Sequence, residues 1–159
     1  MLASALVLSY VERLLPLQLI VPLPGIKLGL ANIVTLVALY LLKTRYAFLI
    51  LVPRCCFGAA FGGGATGFWF SLCGGLLALF VMVLAKRTSK LSVYGVSVLG
   101  AAGHNIGQIV AAMVLMDSVY VGAYLPWLLL VSIAMGLATG CVGAGVLRVL
   151  PKMHIGGWQ

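Results

Sequence analysis

The sequence predicts an all-α fold, an integral membrane bundle of six transmembrane helices. Three observations predict it. Of the 159 residues, 64% are hydrophobic and 8% charged, where a soluble domain carries about a quarter charged residues. A surface so poor in charge has lipid as its natural solvent. The apolar runs are separated by short breaks rich in Pro, Gly or basic residues. Those basic residues collect in alternate breaks, the pattern of a chain that crosses a membrane repeatedly. The length suits a single transmembrane domain over residues 1–159, with no room for a second.

The first helix is expected over about Met1–Leu15. It lacks a basic leader and a cleavage signal, so it reads as a helix and not as a signal peptide. It is short for a span, which leads to the expectation that the natural chain begins before Met1. The segment "PLQLIVPLPGIKLG" follows, with Pro16, Pro22 and Pro24. Proline removes backbone donors and breaks helices, so this segment reads as a re-entrant or capping loop on the outer side.

Helix 2 is expected over Leu28–Leu42, before the turn "KTR". Helix 3 runs over Tyr46–Phe61 and contains Pro53 and Arg54, and "GGGATG" reads as a flexible turn. Helix 4 covers Phe68–Ala85 and is closed by "KRTSK". Helix 5 covers Leu91–Met116, "DSVYVGAY" is a loop, and helix 6 covers Leu125–Leu150, ending at Pro151.

Six spans put both termini on one side. With that side cytoplasmic, Lys43, Arg45, Lys86, Arg87, Lys90, Arg148 and Lys152 lie inside, seven of the ten basic residues. The outer loops hold Arg13 and Lys27, and Arg54 lies within a helix. The positive-inside rule therefore selects N-in, C-in. Trp69, Trp127 and Tyr124 read as interfacial anchors, and Asp117 as a solvated turn residue. The net charge of +8 is a statement about topology; basic residues do not alternate with exposed aromatics, so no nucleic-acid face is present.

Cys55, Cys56, Cys73 and Cys141 form no CxxC pair and lie in apolar runs. They read as small hydrophobes, and no metal site follows from them. Small-xxx-small spacings recur at Gly58 and Gly62, Gly63 and Gly67, Gly103 and Gly107, and Gly136 and Gly140. They allow close helix packing, either within the bundle or against a partner membrane protein.

Within helix 5 the run "HNIGQ" interrupts the grease, with His104 and Gln108 four residues apart on one face and Asn105 beside them. His104 lies roughly 20 Å above the inner end of its helix at about 1.5 Å per residue. Glu12, Arg13, Lys27, Asn32 and Arg54 fall in the same outer half. Polar side chains at that depth must face protein or trapped water. The expectation is one outward-facing pocket lined by Glu12, Arg13, Lys27, Asn32, Arg54, His104, Asn105 and Gln108. Its excess of positive charge suits a small anionic ligand. Alternatives stay open: Glu12 pairs with Arg54 or Arg13, His104 bonds a backbone carbonyl, and Lys27 snorkels to headgroups. No catalytic or metal-binding residue and no cofactor are expected.

"YVERLLP", "PGIKLGLANIVTLVALYLL", "SLCGGLLALFVMVL" and "VSVLGAAGHNIGQIVAA" resemble a family of small bacterial membrane proteins. It is the Gx transporter family, also called heptaprenyl diphosphate synthase component I. The resemblance covers nearly the whole chain, and "PGIKLGLAN" with "GHNIGQ" is its specific part. It points to Glu12, Arg13, Pro24, Gly25, Lys27, Gly29, Asn32, Arg54, His104, Asn105 and Gln108. The family in turn is similar to the substrate-binding S components of energy-coupling-factor transporters. Those are six-helix proteins with a capped outer-half site, paired with a coupling membrane subunit and two ATPases. S components present small residues on helix 1 to the coupling subunit; Ala5 and Ser9 have that spacing here.

Two functions follow. One is a binding protein for ATP-dependent uptake of an anion. The chain has no "GxxxxGK[ST]" loop, so ATP hydrolysis belongs to partner subunits. The other is a non-catalytic membrane subunit associated with a heptaprenyl diphosphate synthase in isoprenoid or quinone metabolism. Prenyl transfer holds magnesium on clustered Asp residues, and this chain has a single Asp. A passive channel fits less well, because no charge rings mark a pore.

Overall fold

The computed structural model describes residues 2–14, 32–60, 64–88 and 90–149. Six α-helices follow in order: α1 (Leu2–Leu14), α2 (Asn32–Leu41), α3 (Thr44–Gly58), α4 (Gly64–Arg87), α5 (Val93–Leu115) and α6 (Leu125–Val149). A 3-10 helix, Val119–Tyr124, leads into α6. The all-α class is as the sequence predicts.

The core is organised around α2. Every residue from Asn32 to Leu39 is buried, on all sides of the helix. A helix apolar all round belongs in the interior, and "NIVTLVALYL" carries no charge. The other five α-helices all pack on it. The last turn of α2 leaves carbonyls without intrahelical partners. Lys86 of α4 supplies one donor, its Nζ lying 2.6 Å from the Leu39 carbonyl and 4.8 Å from the centre of the Tyr40 ring. That bond ties the α2–α3 turn to the end of α4. Exposed Lys43, Arg45, Arg87 and Lys90 therefore gather at one end of the bundle.

Glycines set the distances between α4, α5 and α6. A Cβ at Gly107 would stand 2.6 Å from the Cys73 carbonyl oxygen and 2.8 Å from Gly74 Cα. A Cβ at Gly136 would stand 2.5 Å from Val98 Cα, and one at Gly140 3.2 Å from Tyr94 Cα. The spacings Gly103/Gly107 and Gly136/Gly140 thus serve packing inside the bundle. Ser97 and Thr139 add a buried bond of 2.9 Å between α5 and α6. Thr139 donates to the Gly136 carbonyl, so Ser97 supplies the proton between the two hydroxyls.

Several boundaries differ from expectation. Helix 4 begins at Gly64 and not Phe68, so "ATG" of the expected turn forms its first turn; Gly64 itself takes the left-handed conformation (φ 61°). It also runs to Arg87, two residues beyond Ala85. Helix 5 starts at Val93 because Ser92 caps it, accepting from the Gly95 amide at 3.3 Å. At its other end exposed Asp117 adopts φ 47° and Ser118 N–H reaches the Met113 carbonyl, a left-handed stop. The segment expected as a loop after Asp117 is wound as the 3-10 helix. α3 starts at Thr44, two residues earlier than expected; its α-helical winding ends at Gly58, Ala59 and Ala60 continue it as a π turn, and Phe61 lies outside the described residues. The Pro-rich segment and residues 28–31 of helix 2 lie outside the described residues.

Three helical segments are long and apolar enough to cross a membrane: Gly64–Arg87, Val93–Leu115 and Val119–Val149. Their outer faces are greasy: Leu76, Phe80 and Leu84 on α4, Val110 and Val114 on α5, and Leu130, Ile133 and Leu137 on α6 are exposed. Exposed apolar stripes of that extent mark contact with a membrane or with another protein. On α1, Ala5 and Ser9 are buried. The small-residue face that the resemblance would offer to a coupling subunit is therefore turned into the bundle, because α1 packs on α2 and α3 through it. Exposed Val7, Tyr10 and Val11 form its outer face.

Candidate functional site

Three helices bring polar side chains to one depth. Asn32 is nine residues before the end of α2 and Arg54 ten residues after the start of α3, so both stand roughly 14–15 Å from the basic end. His104 is eleven residues into α5, roughly 16 Å from the same end. These positions are set by the α2–α3 turn and the Ser92 cap, which fix the register of the helices.

The backbones of α3 and α5 do not come within 8 Å of each other, Cα to Cα, among the described residues. They are bridged by α4, and its contribution is the pair Gly74–Gly75. A Cβ at Gly74 would stand 2.9 Å from the His104 ring atoms Cε1 and Nδ1, and one at Gly75 would stand 3.4 Å from Arg54 Nη2. Adjacent positions on one helix thus receive the imidazole from one side and the guanidinium from the other. Two consecutive glycines in a helix interior cost about 1 kcal/mol each relative to alanine. Here Gly74 makes room for the His104 ring and for its backbone carbonyl, also at 2.9 Å, while at Gly75 the tighter neighbour is Leu51 Cδ1 at 3.0 Å and the guanidinium lies in ordinary contact beyond it.

Burial makes these groups unusual. Asn32 is 4% exposed, Arg54 5%, His104 3%, Asn105 3% and Gln108 0%. Gln108 Nε2 lies 3.1 Å from His104 Nε2. With the amide nitrogen donating, His104 accepts at Nε2 and carries its proton on Nδ1, the atom facing Gly74. Asn105 turns the other way and donates from Nδ2 to the Leu128 carbonyl of α6 at 2.8 Å. Its described bond therefore joins two helices. Among the described residues Arg54 Nη1 and both amide atoms of Asn32 are buried without a hydrogen-bond partner. Buried groups of this kind are satisfied in the great majority of proteins.

Glu12 and Arg13 lie on the last turn of α1, and their side chains, like all of Lys27, are outside the described residues. Sequence reasoning missed the Gly74–Gly75 pair. Its signal was there: a double glycine inside an uninterrupted apolar run has no turn to make and so must serve a close approach. Two grooves lined by described residues open elsewhere on the surface. One, about 510 Å³, lies between Thr44, Arg45, Phe48, Leu49 and Leu79 at the basic end. The other, about 460 Å³, lies between Trp69, Cys73 and the outer part of α5.

The model of one protein family, described as heptaprenyl diphosphate synthase component I, matches residues 1–146. The chain belongs to that family. No curated protein and no solved structure matches it.

Proposed function

We propose that this member of the heptaprenyl diphosphate synthase component I family is a membrane-embedded substrate-binding protein. It captures a small anionic molecule and delivers it to an ATP-driven uptake complex made of a coupling membrane subunit and ATPases. In this reading the chain crosses a bacterial cytoplasmic membrane six times, with both ends and the basic end of the bundle inside. The candidate pocket then lies in the outer half, lined by Glu12, Arg13, Lys27, Asn32, Arg54, His104, Asn105 and Gln108, beneath the Pro-rich segment.

The observation that supports it most is the buried Arg54, whose Nη1 has no partner among the described residues. An uncompensated guanidinium in a low-dielectric interior is costly. Arginine's planar fork fits a carboxylate or phosphate bidentately. An anion entering beside Gly75 would find the charge, and the His104–Gln108 pair across Gly74 would orient it. Binding energy of that kind biases an open and a closed arrangement of the bundle, which partner subunits read.

A second reading rests on the family's description: a non-catalytic membrane subunit that accompanies a heptaprenyl diphosphate synthase. The single Asp, exposed at the turn after α5, argues against catalysis by this chain. Affinity purification of the protein from its native membrane separates the two. The uptake reading expects a coupling membrane subunit and ATPases in the eluate. Recovery of a soluble prenyl synthase without them would replace it with the second reading.

A further inference from the structure

We infer that the groove at the basic end, between α3 and α4, is a binding site for one anionic phospholipid of the bilayer. The lipid phosphate sits at Arg45 and Thr44, and an acyl chain lies along Phe48, Leu49 and Leu79. The inference goes beyond anion capture. It concerns a second site, on the outer surface of the bundle, and requires only that α4 crosses the membrane.

The groove measures about 510 Å³ and is lined by Thr44, Arg45, Phe48, Leu49 and Leu79. Leu79 is buried and forms its floor, while Phe48 and Leu49 are exposed and form a wall. Two contacts fix how the helices lie. Lys86 Nζ reaches the Leu39 carbonyl at the α2–α3 turn, and a Cβ at Gly75 would stand 3.0 Å from Leu51 Cδ1. The start of α3 therefore meets the end of α4, and the two run antiparallel. α4 is long and apolar enough to cross a membrane and carries Lys86 and Arg87 in its last turn, where a span meets water. Thr44 and Arg45 open α3 at that boundary. Phe48 and Leu49 follow one turn deeper, roughly 6 Å at about 1.5 Å per residue, and Leu79 lies roughly 10 Å below Lys86. The groove is thus polar at its mouth and apolar below.

Each part selects its occupant. An apolar groove left empty forfeits the dispersion contacts of its walls, and the molecules around a span are acyl chains. The mouth selects the headgroup. The Arg45 guanidinium takes two phosphate oxygens at once, and Thr44 adds a hydroxyl donor. Exposed Lys43, Arg87 and Lys90 stand at the same end and add to the positive field. Basic groups beside a span at the membrane surface favour lipids of net negative charge. A zwitterionic headgroup brings its own ammonium into that field, which offsets the attraction of its phosphate. A protein partner would have to place an acidic side chain at the level of Arg45 above an apolar ridge. A phospholipid has charge and hydrocarbon in that order already.

The test uses the full chain in detergent, titrated with palmitoyl-oleoyl phosphatidylglycerol or phosphatidylcholine and read by native mass spectrometry. The expected result is one tightly held lipid, with an apparent affinity about fivefold or more higher for phosphatidylglycerol, the weight of one basic residue at a membrane surface. Arg45→Gln brings that ratio below about twofold. Arg148→Gln removes an exposed charge from the last turn of α6, which packs on neither α3 nor α4, and keeps the ratio. Leu49→Trp fills the groove from an exposed position and weakens both lipids. Equal affinities in wild type, a ratio that survives Arg45→Gln, or one that Arg148→Gln lowers as much, overturns the inference. So does unchanged binding in Leu49→Trp, which places the lipid elsewhere on the bundle. A benzophenone side chain at position 48, irradiated in the native membrane, is expected to label phospholipid. A crosslink to a second copy or to another protein in its place shows a protein interface and overturns the lipid site. Arg54→Met leaves the lipid ratio unchanged, so this site and anion capture fail separately.

Discussion

Gly107→Leu is expected to eliminate the folded protein, the largest loss of any single substitution in α5. A Cβ at Gly107 meets the Cys73 carbonyl oxygen at 2.6 Å and Gly74 Cα at 2.8 Å. Both obstacles are backbone, so no side-chain rotation relieves them. Alanine alone forces α4 and α5 apart, at about 1–3 kcal/mol. Leucine adds three further carbons at a face with no room, against a total stability of order 5–15 kcal/mol. The same displacement moves Gly74 away from the His104 ring. Gly145→Ala is the control, since nothing stands within 4 Å of a Cβ there. Thermal unfolding and size-exclusion chromatography in detergent check both. A Gly107→Leu protein that elutes and melts like wild type would show that α4 and α5 do not approach through this residue.

Arg54→Met is expected to abolish anion binding while leaving the ligand-free protein as stable as wild type or more so. Methionine keeps much of the volume and removes a buried charge whose Nη1 has no partner among the described residues. Replacing a buried ion with an apolar side chain is often neutral or stabilising by about 1–4 kcal/mol. The sign of the change decides between two accounts. If Arg54 were the internal partner of Glu12, its loss would strand a buried carboxylate and cost roughly 3–5 kcal/mol. A rise or no change in Tm with loss of binding supports a guanidinium kept for a ligand. A fall of that size with binding retained assigns it to the fold.

Much of the architecture was legible because composition and helix breaks carry it. The break expected at Lys43 to Arg45 is present as a turn at Leu42–Lys43, with Thr44 and Arg45 already in α3, and the break around Thr88 follows α4. Pro53 sits inside α3 as expected, at a place where the sequence gives no other break. The boundary errors have local causes. "GGGATG" reads as one turn by composition, yet among its described residues Gly64 takes the left-handed conformation and Ala65 and Thr66 wind into α4. The stretch "DSVYVGAY" carries no apolar period, so its 3-10 winding was invisible.

The site was legible in part. Periodicity put His104 and Gln108 on one face, and they bond one another. It also grouped Asn105 with them, although one residue's rotation on a helix points its amide to Leu128 instead. The depth of Arg54 and Asn32 followed from counting residues along the helices. The contact of His104 and Arg54 with the Gly74–Gly75 pair is a close approach between different helices, which local pattern does not encode. The Lys86 bond to the Leu39 carbonyl is of the same kind.

The central claim is that Arg54 is held in the bundle for an anion that is not part of this chain. Native mass spectrometry of the protein released from its membrane in mild detergent tests it most directly. Phospholipid aside, the account predicts one small acidic molecule per wild-type chain and none on Arg54→Met. Wild type without any such molecule, or the same one on both proteins, would contradict it.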